Sequence, residues 1–166
     1  MALLASDLMG AQSYLGQLPL GGGMGNPRRA NRQLFRDIVE ESSMPFMVID
    51  PRPGLHIVDI NRPYGEATLT EPGQVCGSKL FDTFPDNPDL ADANGVGNLY
   101  DSLRKAAESG QRHTMAVQRY DVRRADGVFV EKYWRPMNTP IFDDRGNLVF
   151  LLHQAMDVTE EVLRPI

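Results

Sequence analysis

Cysteine occurs once in 166 residues, at Cys76. No internal disulfide can therefore staple the fold, and no CxxC or Cys/His cluster at zinc spacing exists. Basic charge is also short. Against 22 Asp and Glu stand 17 Lys and Arg, a net charge of -5, which leaves no basic field to hold nucleic acid phosphates or anionic lipid. Apolar runs fall far below the ~20 residues of a membrane span, so no membrane insertion is expected. No basic leader precedes an apolar block at the N-terminus, and the expected location is a reducing cytoplasm. The motifs G-x-S-x-G, P-loop, GxGxxG and HExxH are missing. No nucleophile–base pair can be assigned among carboxylates that sit mostly in turns, so the chain is expected to be non-catalytic.

What is present suits one domain: 42% of the residues are apolar, enough for a core. Residues 1–18 place Leu4, Leu8, Ala11, Leu15 and Leu18 on one helical stripe. Gly10 and Gly16 weaken it by about 1 kcal/mol each relative to Ala. A frayed terminus and an amphipathic arm that packs on a partner subunit or on the exposed face of the sheet are both consistent with this stripe. A Gly/Pro-rich linker follows at 19–30. Leu34, Phe35, Ile38 and Val39 share a helical face that ends at Ser42-Ser43. Strands are expected at 46–49 and 56–61, joined by the turn at 50–54. Residues 62–94 are broken by prolines and glycines into short helices and turns, and the polar run 84–89 is expected to be functional or mobile. Gly95-Val96-Gly97 reads as a helix entry. The clearest helix spans 96–109, with Val96, Leu99, Tyr100, Leu103, Ala106 and Ala107 on its apolar face and Gly110 as its stop.

A strand at 114–124 should then turn Ala116, Gln118, Tyr120 and Val122 one way and Met115, Val117, Arg119, Asp121 and Arg123 the other. Two more strand-like runs flank the turn Asp143-Asp144-Arg145-Gly146-Asn147, where Gly146 and Asn147 can take positive φ. The second of these runs stops at Asp157-Val158-Thr159-Glu160, and Asp and Thr are common helix starters. No βαβ alternation occurs, so an antiparallel α+β domain with helices on one sheet face is expected.

The stretch from Val128 to Glu160 resembles the end of a PAS domain, the small sensor module of bacterial signalling proteins. In that family the last two strands carry an Asp-x-x-Gly-like turn and close with Asp-[Ile/Val]-Thr-Glu, here Asp157-Val158-Thr159-Glu160. The resemblance reaches back to about Asn31 and implies a PAS domain over 31–160. Its sheet would be five-stranded and antiparallel, with Asn61 starting a short helix and 161–166 beginning an output connector. It also implies signal transmission through Asp157, Thr159 and Glu160 to a downstream output domain such as a histidine kinase.

Flavin photosensors of the family carry a reactive cysteine in a Gly-x-x-Cys-like motif. The matching stretch here is Gly77-Ser78-Lys79-Leu80, and a leucine forms no photoadduct. Cys76 reads as a small core residue. Oxygen-binding haem sensors use a histidine on the long helix, and residues 96–109 contain none. This argues against both cofactors; His113 and His153 are the remaining axial candidates. The ligand stays unknown.

Alternation puts Val130, Lys132, Trp134, Pro136 and Asn138 on one strand face, and Leu151, His153, Ala155 and Asp157 on one face of the last strand. By the family resemblance these faces line the cavity. Trp134, Asn138, His153, Tyr120, Gln118 and Tyr100 are then the candidate ligand-binding residues, an apolar shell with a few placed polar groups. His153 is expected to be hydrogen-bonded, with Asn138 and Trp134 as nearest candidates. Two other readings stay open. One is a dimerisation module with a side-chain-filled cavity. The other is a small cone-shaped α+β enzyme, which would need an acid–base pair. A homodimer is expected, built from the arm and from Phe150, Leu152 and Met156 on the outward face of the last strand. Deleting residues 1–27 should weaken that dimer, as read by sedimentation.

Overall fold

The computed structural model describes residue 37 and residues 40–164. The arm, the linker and most of the helix expected before Ser42 lie outside the described residues. Strands β1 (Phe46–Asp50) and β2 (His56–Ile60) form the first hairpin. Short helices α1 (Arg62–Thr68), α2 (Pro72–Val75) and α3 (Leu80–Thr83) follow, and then the long helix α4 (Gly95–Ser109). The chain returns through β3 (His113–Thr114), β4 (Gln118–Arg119), β5 (Val122–Arg123) and β6 (Phe129–Val130). It ends with two ten-residue strands, β7 (Tyr133–Phe142) and β8 (Leu148–Asp157), and helix α5 (Thr159–Leu163). The main sheet is antiparallel in the order β2-β1-β8-β7-β3, with β4 also on β7. Its six strands thus occupy five positions, because β3 and β4 share one edge. This is the expected α+β architecture.

Local chemistry explains the corners. Asn61 is the N-cap of α1: its Oδ1 accepts from Tyr64 N at 3.1 Å and from Phe46 N at 2.9 Å, and its Nδ2 donates to Met44 O at 2.6 Å. One side chain therefore starts the helix and anchors β1. The β7–β8 turn is built on Asp143, whose Oδ1 accepts from the backbone N of Arg145 and Asn147. Gly146 takes φ +79°, but Asn147 stays out of the left-handed region and donates its amide to Asp143 instead. Gly110 at φ +67° stops α4, as expected.

Alternation along β8 produces two cores. Leu151 and Ala155 join Met47, Ile49, Leu80, Leu99, Leu103 and Trp134 on the inner face under the helices. Phe150 and Leu152 join Phe46, Val48 and Ile141 on the outer face. This corrects one expectation. Phe150 and Leu152 are only 5% and 4% exposed, so they do not form the open patch expected to seek a partner. On that face they pack beside Phe46 and Val48 of β1 and Ile141 of β7. Met156 is partly exposed.

Two further corrections concern local detail. The strand expected over 114–124 is broken into β3, β4 and β5, so its alternation does not persist. Met115 packs on the inner core, Ala116 is exposed, and Asp121 is buried rather than outward. Cys76 is half-buried with its Sγ 3.6 Å from Asp59 Oδ1, not a core residue.

Asn61→Ala removes a helix cap and orphans two backbone groups at the start of β1. The expected loss is about 2–3 kcal/mol of unfolding free energy, measured as a lower urea midpoint.

Candidate functional site

A cavity of about 40 Å³ lies between the helices and the inner face of the sheet. Tyr64 and Thr68 from α1, Phe84, Leu99 from α4, Gln118, Tyr120, Asp121, Val122, Trp134, Pro136, His153 and Ala155 line it. Such a volume holds about three water-sized groups. Strand register puts the polar members here: β7 pairs with β8 so that Asn138 lies opposite His153 and Pro136 opposite Ala155. Both residues of the first pair point inward because the alternation from Trp134 and from Leu151 demands it.

His153 and Asn138 begin a buried polar row. His153 Nδ1 lies 2.7 Å from Asn138 Oδ1, Asn138 Nδ2 donates to Ser102 Oγ at 2.7 Å, and Ser102 Oγ lies 2.7 Å from His113 Nδ1. Asn138 is fully buried and Ser102 is 2% exposed. The row links the cavity, β7, α4 and β3. Burial lowers the His153 pKa to about 4, so the ring is neutral at pH 7. Its face meets the Tyr64 ring edge-on at 5.9 Å between centroids. Burial likewise pushes the Tyr64 phenol well up, which keeps it protonated.

The opposite wall is organised by Tyr120. Its hydroxyl donates to Phe84 O, and its backbone carbonyl accepts from Trp134 Nε1 at 2.7 Å. The ring lies against Gly95, where a Cβ would come within 2.6 Å of it. Gly95 does open α4, as the sequence suggested, and it also makes room for Tyr120. Asp121 turns inward where the strand breaks. Burial raises its pKa, but the hydrogen bonds from Arg119 and Asn87 outweigh this and hold the carboxyl below its ordinary value. The connection after α3 is thus tied down over the cavity at three points. Besides Phe84 O and Asn87, Asp86 Oδ1 accepts from Val96 N at 3.1 Å.

Of the expected ligand-binding residues, Trp134, His153, Tyr120 and Gln118 line the cavity, and Asn138 stands directly behind His153. Tyr100 does not join them. It is 50% exposed on the outer side of α4, its ring 6.5 Å from Phe81. The apolar stripe of α4 is narrower than the sequence pattern implied. It buries Leu99, Ser102, Leu103 and Ala106, and Tyr100 falls on its edge. Trp134 satisfies its nitrogen on Tyr120, not on His153. Sequence reasoning missed Tyr64, Ser102 and Asp121. Only Tyr64 left a signal, three residues after the helix-capping Asn61.

At the end of β8, Asp157 Oδ2 pairs with Lys132, while Oδ1 accepts from Thr159 N and Oγ1. Thr159 Oγ1 also accepts from Tyr133 N at 2.9 Å. Burial raises the Asp157 pKa, but the Lys132 and Thr159 hydrogen bonds prevail and lower it. Glu160 makes an exposed ion pair with Arg164, and Glu161 reaches Arg135 of β7 at 3.1 Å. Among the described residues no group of His, Cys, Asp and Glu is arranged to hold a metal. No helix among them is long and apolar enough to cross a membrane.

These features define a small antiparallel α+β domain with a mainly apolar cavity, carrying a few polar groups, under one sheet face and a tethered helix leaving its last strand. A sequence-family model described as the PAS fold matches residues 39–163, and the chain belongs to the PAS family, a family of sensory modules. Solved structures agree in fold. An RNA-binding Light-Oxygen-Voltage receptor superposes with TM-score 0.57 at 20% identity, over 87% of this chain and 37% of that one. The chain thus spans little more than a third of that receptor. A PAS domain from Colwellia psychrerythraea gives TM-score 0.56 at 15% identity, covering 77% of this chain and 97% of that one. The LOV protein of Rhodobacter sphaeroides gives 0.57 at 16%, covering 80% and 69%. Comparison with curated proteins found no match.

Two outcomes follow for His153. His153→Leu leaves the buried Asn138 Oδ1 without its donor, so a loss of about 1–3 kcal/mol is expected at pH 7. The wild-type His also carries a pH signature. Its folded pKa, about 4, lies below the ordinary 6.5, so the unfolded chain takes up a proton that the folded chain refuses. The resulting stability is fully present above pH 6.5 and is lost as pH falls toward 4, by about 3 kcal/mol in all. Urea titrations between pH 7 and 4 should show this slope in the wild type. His153→Asn, which keeps a donor toward Asn138 but does not titrate, should lack it.

Proposed function

We propose that the domain senses a small molecule held in the cavity and passes the signal through Asp157-Val158-Thr159-Glu160. The observation that carries this reading is the cavity itself. Its wall includes the polar side chains Tyr64 and His153, each 4% exposed, and neither hydroxyl nor Nε2 is bonded to another described residue. Both side chains line the cavity, so a molecule bound there can meet these groups. Trp134, Tyr120 and Gln118 would contact the ligand, and Asn138 would hold His153 in place.

Transmission is supported by the strand end. Trp134 faces Asp157 across the β7–β8 pair, so a shift of the cavity wall moves the residue whose carboxylate holds Thr159 at the start of α5. The output domain that would follow is, on this reading, a histidine kinase or a similar signalling enzyme in the cytoplasm, and the working unit a homodimer. The chain itself supplies binding, not catalysis.

Native mass spectrometry of protein purified without denaturation should reveal a bound small molecule. Its removal should lower the thermal midpoint. A ligand-free mass together with a midpoint indifferent to every candidate would favour the dimerisation module. For the exit, Asp157→Ala should cost only about 1 kcal/mol yet raise amide exchange at residues 159–163. It should also shift the activity of the full-length protein. Unchanged exchange there would remove Asp157 from the signal path.

A further inference from the structure

We propose that the cavity selects an uncharged ligand that brings its own hydrogen-bond donor, an amide or hydroxyl compound, and turns away carboxylates and amines. This rests on the sensory reading above and specifies its ligand class.

The argument begins with the tautomer of His153. Asn138 Nδ2 donates to Ser102 Oγ at 2.7 Å and lies 3.7 Å from the Met115 sulfur, a weak acceptor. Both neighbours suit the nitrogen side of the amide, so its oxygen is the atom that faces His153 Nδ1. Nδ1 therefore carries the ring hydrogen. In a neutral imidazole Nε2 is then a bare acceptor, and it requires a donor from whatever fills the cavity. Tyr64 completes the pair. Its hydroxyl has no partner among the described residues and can donate to an acceptor on the same molecule. An amide or a hydroxyl group supplies both functions at once.

Charge points the same way. Among the described residues no Lys or Arg lines the cavity, and the one charged residue there is Asp121, with a side chain 2% exposed. Asp121 is already matched by Arg119 and Asn87. A carboxylate would enter beside that carboxylate and against the Nε2 lone pair, with no cation to offset its desolvation. An ammonium could donate to Nε2, but its charge would find no free carboxylate, because Asp121 is already paired. The volume of about 40 Å³ admits only a small group of this kind.

The test uses full-length chain labelled with 15N-histidine, titrated at pH 7.5 and constant ionic strength with acetamide, acetate and ethylamine. The imidazole nitrogen resonances and the thermal midpoint are the readouts. Acetamide is expected to shift the His153 Nε2 resonance saturably and raise the midpoint, with an affinity at least about tenfold above that of acetate or ethylamine. In Tyr64→Phe the acetamide affinity should fall by about tenfold while the unliganded His153 resonances stay in place, which separates binding from folding. Acetate or ethylamine binding as tightly as acetamide would overturn the charge rule and leave the sensory reading standing. If none of the three probes moves the His153 resonance, the small-molecule reading falls, and this inference with it.

Discussion

The constraint on which the rest depends is the register between β7 and β8. Nine paired positions run from Trp134 opposite Asp157 to Phe142 opposite Leu148, with one irregularity near Ile141. Side chains alternate with a period of two, so a slip of one residue would turn every inward group outward. His153 and Asn138 would leave the cavity, and Phe150 and Leu152 would replace them. The Asp143 turn fixes that register from one end through its bonds to Arg145 and Asn147. The Asp157–Lys132 and Tyr133–Thr159 contacts fix it from the other. Apolar partition adds the largest force, because both faces of β8 are buried and each face has its own set of partners.

Given that register, the cavity arises where regular pairing fails. A continuous strand over 114–124 would have covered this edge with alternating side chains. Instead β3, β4 and β5 are separated, and the chain turns Tyr120 and Asp121 together toward the interior. Tyr120 can do so only because Gly95 carries no Cβ. Asp121 then needs partners, and Arg119 and Asn87 supply them. The same bonds hold the proline-rich connection down over the cavity, so the break in the strand and the closure of the site have one cause.

The cavity and the exit are joined through few atoms. Trp134 lies on the wall and pairs across the sheet with Asp157, which binds Lys132 and accepts from Thr159 N at the start of α5. Behind the wall, the row from His153 to His113 ties the last strand to α4. In a low-dielectric interior each member of such a row orients the next. His153 is thereby linked to the long helix through Asn138 and Ser102.

Several features were legible in the residues alone. The first hairpin, the α4 span with its Gly110 stop and the β7–β8 hairpin follow from period, cap and turn chemistry, which act within a few residues; the Asn61 helix start and the inward direction of Trp134, Asn138 and His153 followed from the family resemblance. Other features were settled by contacts distant in sequence. The inward turn of Asp121 depends on Asn87, 34 residues away, and Asn138 meets Ser102 at a separation of 36. Tyr100 was lost from the site because a helical stripe gives a face but not its width, and the sheet beneath α4 reaches only as far as Leu99 and Leu103. Phe150 and Leu152 likewise meet Phe46 and Val48 only because β1 pairs with β8, about a hundred residues away. Local sequence determines which way a side chain points along its own element; only the assembled sheet decides what it meets there.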